Sequence, residues 1–407
     1  MRKLIAITTL FSGCFTGLAI AKEPLHVVVS LDEQRLWVYE GTKEISRSNV
    51  SSGKAGHRTP TGIFSILQKR RHHRSNIYNN APMPFMQRLT WTGIALHASG
   101  SVPRRPASHG CVRLPHGFAR KLFGLTTRGA HVTIERNPQK PTLFTHPNLF
   151  QPAKVWRASA EFDPWVNQHI EARNPGAEEN DDDAPVRIYL TRRTQAEDVK
   201  DSQRILNKLG YGAGDVDGFM GPATAKAIKW YQRSHGLKEN GLISGDLMAR
   251  LFASAREEAP KNGRLLVRKN FKPVYETGVE IKEPQYPLGS HLITASEFDA
   301  EALSTKWLSV SLEDQVYRQV NLPGGLKIEE GTDRYLLADA LNRIVIDDEA
   351  RRKVSQMLVP LSSISISDNG LSGETAAKGT DFVVITRPGK AKNTAKLKKK
   401  KKKSQNS

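Results

Sequence analysis

The segment Ser108–Leu114, SHGCVRL, contains the only cysteine beyond residue 14 of this 407-residue chain. A single cysteine cannot form an intramolecular disulfide, so the folded parts must be stabilised by ordinary hydrophobic cores. The hydrophobic content of 38% is sufficient for such cores. The length predicts two or three domains.

The first 21 residues predict a secretory signal peptide. Two basic residues are followed by an apolar run, and Ala19–Ala21 fits the A-x-A cleavage rule. Two other interpretations are an uncleaved membrane anchor and lipidation of Cys14. The apolar run is short for a membrane span of about 20 residues, and the residues before Cys14 match a lipoprotein motif poorly. We expect export, after which Cys111 is the only thiol.

The charge balance predicts contact with polyanions. The formal net charge is +20, from 61 Lys and Arg against 41 Asp and Glu, and such a surplus suits nucleic acid, anionic lipid or an acidic wall polymer. Residues 389–407 form a Lys-rich tail that we expect to be disordered. Export argues against nucleic acid as a partner, so Lys398–Lys403 is expected to contact an anionic lipid or wall surface.

The neighbours of Cys111 decide between two interpretations of this residue. A lone cysteine is commonly a buried small hydrophobe. A nucleophilic thiol needs a base or a positive charge nearby, and His109 and Arg113 would share its face in an extended strand. A short apolar run also ends at His97. The spacing does not choose between the two histidines, and Gly110 would let the backbone approach a substrate.

The segment His97–Leu114, HASGSVPRRPASHGCVRL, closely resembles the signature of the L,D-transpeptidase (YkuD-like) catalytic domain. Three further segments resemble that family in the same order: LHVVVSLDEQRLWVYEG, HRTPTGIFSI and YNNAPMPFMQRLTWTGIALHA. The resemblance covers residues 24–135. It implies a mainly β, sandwich-like domain with Cys111 at one end of the sheet.

The resemblance also implies a role for each matching position. Cys111 matches the nucleophile and His97 the group that accepts and donates the proton. The supporting motif consists of Ser108, His109, Gly110 and Arg113. Of these, His109 is expected to orient the cysteine loop and Arg113 to meet a substrate carboxylate. Backbone N–H groups around Gly110 and Cys111 are the expected oxyanion donors. Because Ala98 follows His97, only a backbone group of that residue could orient the imidazole.

The implied reaction is acyl transfer in the periplasm. The thiolate attacks the third residue of a peptidoglycan stem peptide, D-Ala leaves, and an amine of another stem peptide or of an outer-membrane protein accepts the acyl group. No metal or cofactor is implied, and we interpret RRHHR (residues 70–74) as a solvated basic loop rather than a metal site. Two alternatives remain. One is a peptidoglycan hydrolase or carboxypeptidase of the same fold, and the other is a non-catalytic wall-binding protein.

The middle of the chain predicts a linker and a helical module. Residues 136–196 are rich in proline and acidic residues and suggest a linker with one short helix around Trp165. Residues 197–253 contain three short helical patterns punctuated by glycine and by Gly221-Pro222. They resemble the peptidoglycan-binding domain 1 family. The alternative interpretation is a helical spacer.

Residues 262–388 predict a β-rich domain whose fold the sequence does not specify. Val112–Ile134 aligns without gaps on Ile344–Ile366, and the apolar positions coincide. This suggests a degenerate second copy of the catalytic fold, with Arg343 in place of Cys111. Chance similarity of two strand–helix–strand patterns is the alternative.

Overall fold

The computed structural model describes residues 23–77, 79–138, 140–154, 184–312, 337–371, 373–376 and 379–387. The signal peptide, the helix expected around Trp165 and the Lys-rich tail lie outside these residues. No helix in the described part of the chain is long and apolar enough to cross a membrane.

The N-terminal part is mainly β, as the sequence predicts. Its strands are β1 (Leu25–Ser30), β2 (Arg35–Glu40), β3 (Lys43–Asn49), β4 (Thr61–Ser65), β5 (Gln68–Arg70), β6 (Met86–Arg88), β7 (Ala95–Ala98), β8 (Val112–Leu114) and β9 (His131–Glu135), and its helix is α1 (His116–Leu125). A four-stranded sheet has the order β5-β6-β7-β8. A larger sheet contains β4-β9-β1-β2-β3 and is extended beyond β4 by a strand from the C-terminus of the chain.

The core of this part lies between the two sheets and α1. Successive residues of a strand point to opposite faces, so Val27 and Val29 of β1 enter the core while His26 faces away from it. Helix α1 buries Ala119 and Leu122 in the same core. The core therefore fixes the small sheet, which carries the predicted catalytic residues.

The three predicted helices of the middle region are present as α2 (Gln195–Lys208), α3 (Pro222–Ser234) and α4 (Gly245–Ala255). The side chains of Thr194 and Ser244 cap α2 and α4, and Gly221 precedes the proline at the first position of α3. The helices enclose a hydrophobic core of their own.

The C-terminal part is built on a second large sheet. Its strands are β10 (Thr142–Phe144), β11 (Val186–Arg192), β12 (Gly263–Lys269), β13 (Lys272–Ile281), β14 (Ser290–Asp299), β15 (Ser304–Ser311), β16 (Ile344–Val345) and β17 (Ser363–Ser367), and its helices are α5 (Leu337–Arg343), α6 (Asp348–Met357) and α7 (Gly373–Ala376). The strand order is β10-β15-β14-β17-β11-β12-β13-β16. A last strand, β18 (Val384–Arg387), pairs with β4 at the edge of the first large sheet.

Two corrections to the predicted boundaries follow. Residues 136–196 are not simply a linker, because β10 and β11 lie within them and both belong to the C-terminal sheet. The C-terminal unit therefore does not begin at residue 262. Its central strand β11 pairs with β12 across the whole helical module, so the module is an insertion between two neighbouring strands of one sheet.

The central strands of the two large sheets share one arrangement. Strands β14, β17, β11, β12 and β13 follow the same order as β4, β9, β1, β2 and β3, and in both sets one neighbouring pair is parallel and the other three are antiparallel. Helices α1 and α6, and strands β9 and β17, begin and end at positions matched by the gapless alignment of Val112–Ile134 on Ile344–Ile366. Arg343 directly precedes β16, as Cys111 directly precedes β8.

The two large sheets pack against each other through a mixed interface. Ile63 of β4 joins an apolar cluster with Tyr189 and Leu292 of the second sheet. The Nε2 atom of His26 lies 3.0 Å from Thr294 Oγ1, and the Arg187 guanidinium donates to Gly129 O at 3.0 Å. Strand β9 is therefore buried on both faces.

The two buried histidines of this interface predict that the free energy of unfolding decreases as the pH decreases. Burial, with a smaller contribution from Arg187, lowers the pKa of His26 to about 4, and burial also lowers the pKa of His131. A histidine with a lowered pKa stays neutral in the folded state while the unfolded state binds a proton, so stability is lost as the pH falls from about 6.5 to about 4. For His26 alone the loss is on the order of 3 kcal/mol.

Urea unfolding between pH 4 and 7.5 measures this loss. The variant His26→Gln can keep a hydrogen bond to Thr294 but cannot titrate, so its free energy of unfolding should fall less steeply over the same range. A free energy of unfolding that does not decrease between pH 7 and pH 5 in the unmodified protein would contradict the prediction.

Candidate active site

A cleft of about 340 Å³ brings together most of the predicted site residues. It is lined by Ser108, His109, Cys111 and Arg113, and by His97 on the strand beside them. Gly110 lies in the same turn but does not line the cleft. None of the described residues that line the cleft is acidic, which suits an anionic ligand.

Strand alternation explains why His97 and Cys111 line the same cleft. Strands β7 and β8 are parallel neighbours, and Leu96 is paired with Val112. These two residues point into the core, so the residues beside them point to the opposite face. That face is the floor of the cleft, and the thiol and the imidazole both reach it.

The Cys111 thiol is half-buried and held by its surroundings. Its Sγ atom donates to the Gly93 carbonyl at 3.4 Å. Burial raises the pKa of the thiol, whereas a hydrogen bond from the backbone of Ala95 and the positive charges of Arg88 and Arg113 lower it. Burial is the largest of these effects, so the thiol is protonated at neutral pH before a substrate binds.

The His97 imidazole is held in one tautomer by the backbone. Its Nδ1 atom lies 2.8 Å from Ala98 O, and because a carbonyl only accepts, Nδ1 carries the proton and Nε2 is left as a base. Burial lowers the pKa of His97, so the ring is neutral at pH 7. The backbone of Ala98 orients the ring, as the sequence allows.

The supporting motif builds the turn that presents the thiol. Ser108 Oγ donates to Cys111 O and accepts from Gly110 N, the latter at 3.1 Å. Gly110 has a φ of +119°, and a Cβ atom there would lie 2.9 Å from Ile94, so only glycine fits. Thr59 donates to Gly110 O at 2.8 Å. The Gly110 N–H therefore stabilises the turn, which differs from its expected role as an oxyanion donor.

Sequence reasoning missed two residues that line the cleft, Arg88 and Gly93, and Thr59, which bonds to the turn beside it. Arg88 lies near enough to influence the pKa of the thiol, yet nothing in the sequence around it signals this. Gly93 belongs to the TWTGIALHA segment that carries the family resemblance, and Thr59 to HRTPTGIFSI. The resemblance of those segments to the family is the signal that marks both residues.

The basic segment Arg70–Arg74 borders the cleft. The side chains of Arg71, His72 and Arg74 are exposed and His73 lines the cleft, so these four residues form a largely solvated basic rim. His109 is also exposed, and its ring meets the edge of the His57 ring at 4.8 Å. Within the residues that the structure describes, no group of three or more His, Cys, Asp or Glu side chains could hold a metal ion.

Two family models match this chain. The L,D-transpeptidase catalytic domain matches residues 24–134, and the peptidoglycan binding domain matches residues 195–251. The chain carries both domains. The L,D-transpeptidase domain thus contains the whole cleft, and the peptidoglycan binding domain coincides with helices α2–α4.

Solved L,D-transpeptidases resemble the chain over part of its length. The enzyme from Xylanimonas cellulosilytica is 28% identical, with 28% of this chain and 61% of that chain covered, at a TM-score of 0.26. The enzyme from Stackebrandtia nassauensis is 32% identical, with 30% and 60% covered, also at 0.26.

Two curated relatives match shorter segments. The chloroplast protein disulfide isomerase pTAC5 of Arabidopsis thaliana is 32% identical over 86 residues, 20% of this chain and 22% of that protein. The localization factor PodJL of Caulobacter vibrioides is 42% identical over 55 residues, 14% of this chain and 6% of that protein. The chain thus spans less than a quarter of either relative.

Proposed function

We propose that this protein is a periplasmic L,D-transpeptidase that acts on peptidoglycan. The observation that carries the proposal is the presence of Cys111 and His97 in one cleft, with the proton of the imidazole fixed on Nδ1 by Ala98 O. The signal-peptide pattern and the peptidoglycan binding domain support a place in the cell envelope.

The first half-reaction forms a thioester. As Sγ attacks the carbonyl carbon of the third stem-peptide residue, Nε2 of His97 takes the thiol proton, so two neutral groups generate the thiolate only during attack. The tetrahedral intermediate then collapses, the C–N bond to D-Ala breaks, and the imidazolium returns the proton to the leaving amine. Arg113 and Arg88 favour the negative charge that develops on sulfur.

The second half-reaction transfers the acyl group to an amine. His97, neutral again, removes a proton from the attacking amine, the C–S bond breaks, and the thiol is restored. The acceptor is an amine of another stem peptide or of an outer-membrane protein. The basic rim, Arg71–Arg74, and the Lys398–Lys403 run suit an anionic wall or lipid surface.

Product analysis tests this proposal. The protein is incubated with purified tetrapeptide muropeptides, and the products are identified by mass spectrometry. We expect cross-linked dimers and released D-Ala. Tripeptides without dimers would instead identify a hydrolase, and unchanged substrate together with an unmodified Cys111 would identify a non-catalytic wall-binding protein.

We further propose that the helical module holds the enzyme on the wall through its exposed aromatic surface. Trp230 of α3 is 53% exposed and its ring meets the edge of Tyr211 at 5.2 Å. An exposed, rigid aromatic face stacks on sugar rings, and its removal commonly costs more than 1 kcal/mol of binding.

The variant Trp230→Ala should therefore weaken the affinity of the full-length protein for peptidoglycan sacculi by about tenfold. Sedimentation with sacculi at several sacculus concentrations measures this affinity. The matched control is Val274→Ala, which removes an exposed apolar side chain from β13 and should sediment like the unmodified protein. Equal sedimentation of the two variants would contradict the proposal that this face binds the wall.

We also propose that the strands from β11 to β17 form a second, non-catalytic copy of the catalytic fold, interrupted by the peptidoglycan binding domain. The shared strand order and the matching helix and strand bounds support this. Arg343, at the position of Cys111, is 3% exposed and donates to Asp339, Tyr286 O and Pro287 O. Its guanidinium is therefore bonded within the fold, and we assign the copy no substrate.

A further inference from the structure

A short turn forms the wall of the cleft beside the thiol. In the turn from Thr90 to Ile94, the Gly93 N–H donates to Thr90 O at 3.2 Å, and the Ile94 N–H donates to Thr90 Oγ1 at 3.0 Å. Gly93 O accepts from Cys111 Sγ, and Ile94 lies against Gly110. Any movement of this turn therefore moves the groups that hold the thiol.

One carboxylate from the C-terminal part of the chain, that of Glu374, accepts two hydrogen bonds from this turn. Glu374 Oε2 accepts from Trp91 N at 2.9 Å, and Glu374 Oε1 accepts from Thr92 N at 3.0 Å. Two hydrogen bonds from successive backbone N–H groups to one carboxylate fix the orientation of the peptide units that lead to Gly93. The two partners are separated by more than 280 positions along the chain.

The segment that carries Glu374 is itself anchored on the catalytic domain. Strand β18 pairs with β4, Ser65 donates to Asp381 at 2.9 Å, and Thr61 and Thr386 share a hydrogen bond of 2.9 Å. A Cβ atom at Gly62 would lie 1.9 Å from Val384 O, so the strands approach closely. Glu374 thus lies, in the sequence, between β17 of the second sheet and β18 of the first.

We infer that Glu374 is a positioning residue for Cys111, which acts by holding the Trp91–Gly93 backbone against the thiol. The C-terminal domain therefore contributes to the active site, although it has no nucleophile of its own. The inference rests on the proposed function only for its effect on acyl transfer. Its effect on the thiol does not depend on the substrate.

Loss of the Glu374 hydrogen bonds should change the pKa of Cys111 in a predictable direction. The oxygen end of the Gly93 carbonyl dipole faces the sulfur, so it favours the thiol over the thiolate. When the turn is released, the pKa of Cys111 should fall and the thiol should become easier to alkylate. Acyl transfer should become slower, because a displaced nucleophile costs about 10- to 100-fold in rate. Simple loss of stability does not predict faster alkylation of a protein that remains folded.

The experiment compares Glu374→Ala, Glu374→Gln and a control in the full-length protein. Alanine removes both hydrogen bonds, whereas glutamine keeps one acceptor oxygen and removes the charge. The control is Glu349→Ala, which breaks an exposed ion pair with Lys353 in the same domain. The pH dependence of Cys111 alkylation by iodoacetamide is followed by peptide-resolved mass spectrometry, together with the melting temperature and muropeptide transfer.

We expect the alkylation profile to shift to lower pH in the order control, glutamine, alanine, with transfer reduced by about tenfold or more in Glu374→Ala. Unchanged alkylation in Glu374→Ala would overturn the inference, even if its melting temperature fell. Equal shifts in the glutamine and alanine variants with normal transfer would also overturn it, because they would indicate a charge effect through space. If no variant transfers but the profiles shift as expected, the positioning role stands and the proposed function fails.

Discussion

Replacement of Cys111 by alanine should abolish acyl transfer, with a loss of at least about 1,000-fold, and leave the fold intact. Thioester formation requires the sulfur, and the cleft offers no second nucleophile in a comparable position among its described lining residues. The stability cost should be at most about 1 kcal/mol, because the thiol is half-buried and its hydrogen bond to Gly93 O is long at 3.4 Å.

The measurement combines muropeptide turnover with the melting temperature and the circular dichroism spectrum. Ser101→Ala is the matched control, since Ser101 is an exposed residue of the loop between His97 and Cys111 and should retain both activity and stability. Detectable turnover by purified Cys111→Ala would remove Cys111 from the mechanism. A variant that loses its melting transition would show that the thiol is mainly a packing group.

The position of His97 and Cys111 in one cleft could be predicted because its determinants are local. His97 lies on a strand and Cys111 directly before the next one, and each strand buries alternate residues in a core that the hydrophobic pattern reveals. The orientation of His97 by a backbone group could likewise be anticipated from Ala98. The roles of these residues in turnover remain predictions until the variants are measured.

The architecture around the site could not be predicted because it depends on pairing between distant segments. Strand β11 is separated from β12 by the whole helical module, and no local pattern states which strand will pair with it. The contact of Glu374 with Trp91 and Thr92 also joins distant segments. Its carboxylate accepts from backbone N–H groups, which every residue except proline has, so the sequence carries no signal of it. Residues 136–196 therefore resembled a linker although β11 is central to a sheet.

The alignment of the two halves shows what a weak sequence repeat can and cannot establish. It anticipated the bounds of α6 and β17 and the place of Arg343. It did not establish whether a ligand could reach that place. The Arg343 side chain is buried and donates to Asp339 and two backbone carbonyls, so its hydrogen-bonding capacity is used within the fold.

The variant His97→Ala should lower acyl transfer by about 100- to 10,000-fold, whereas His109→Ala should cost about tenfold or less. The difference follows from the two environments. His97 is buried in the cleft with its tautomer fixed by Ala98 O, so its Nε2 can accept the thiol proton. His109 is exposed and meets His57 edge-on, so its loss removes support from the turn.

The pH dependence of transfer distinguishes the base from a supporting residue. A base must be neutral, so transfer should fall as the pH decreases through the pKa of His97, which burial places below its ordinary value of about 6.5. The acidic limb of the pH–rate profile should therefore lie below pH 6.5 in the unmodified protein and in His109→Ala, and it should disappear from the residual rate of His97→Ala. If His109→Ala instead caused the larger loss and removed the limb, the base would be His109, and the orientation of His97 by Ala98 O would serve only to stabilise the fold.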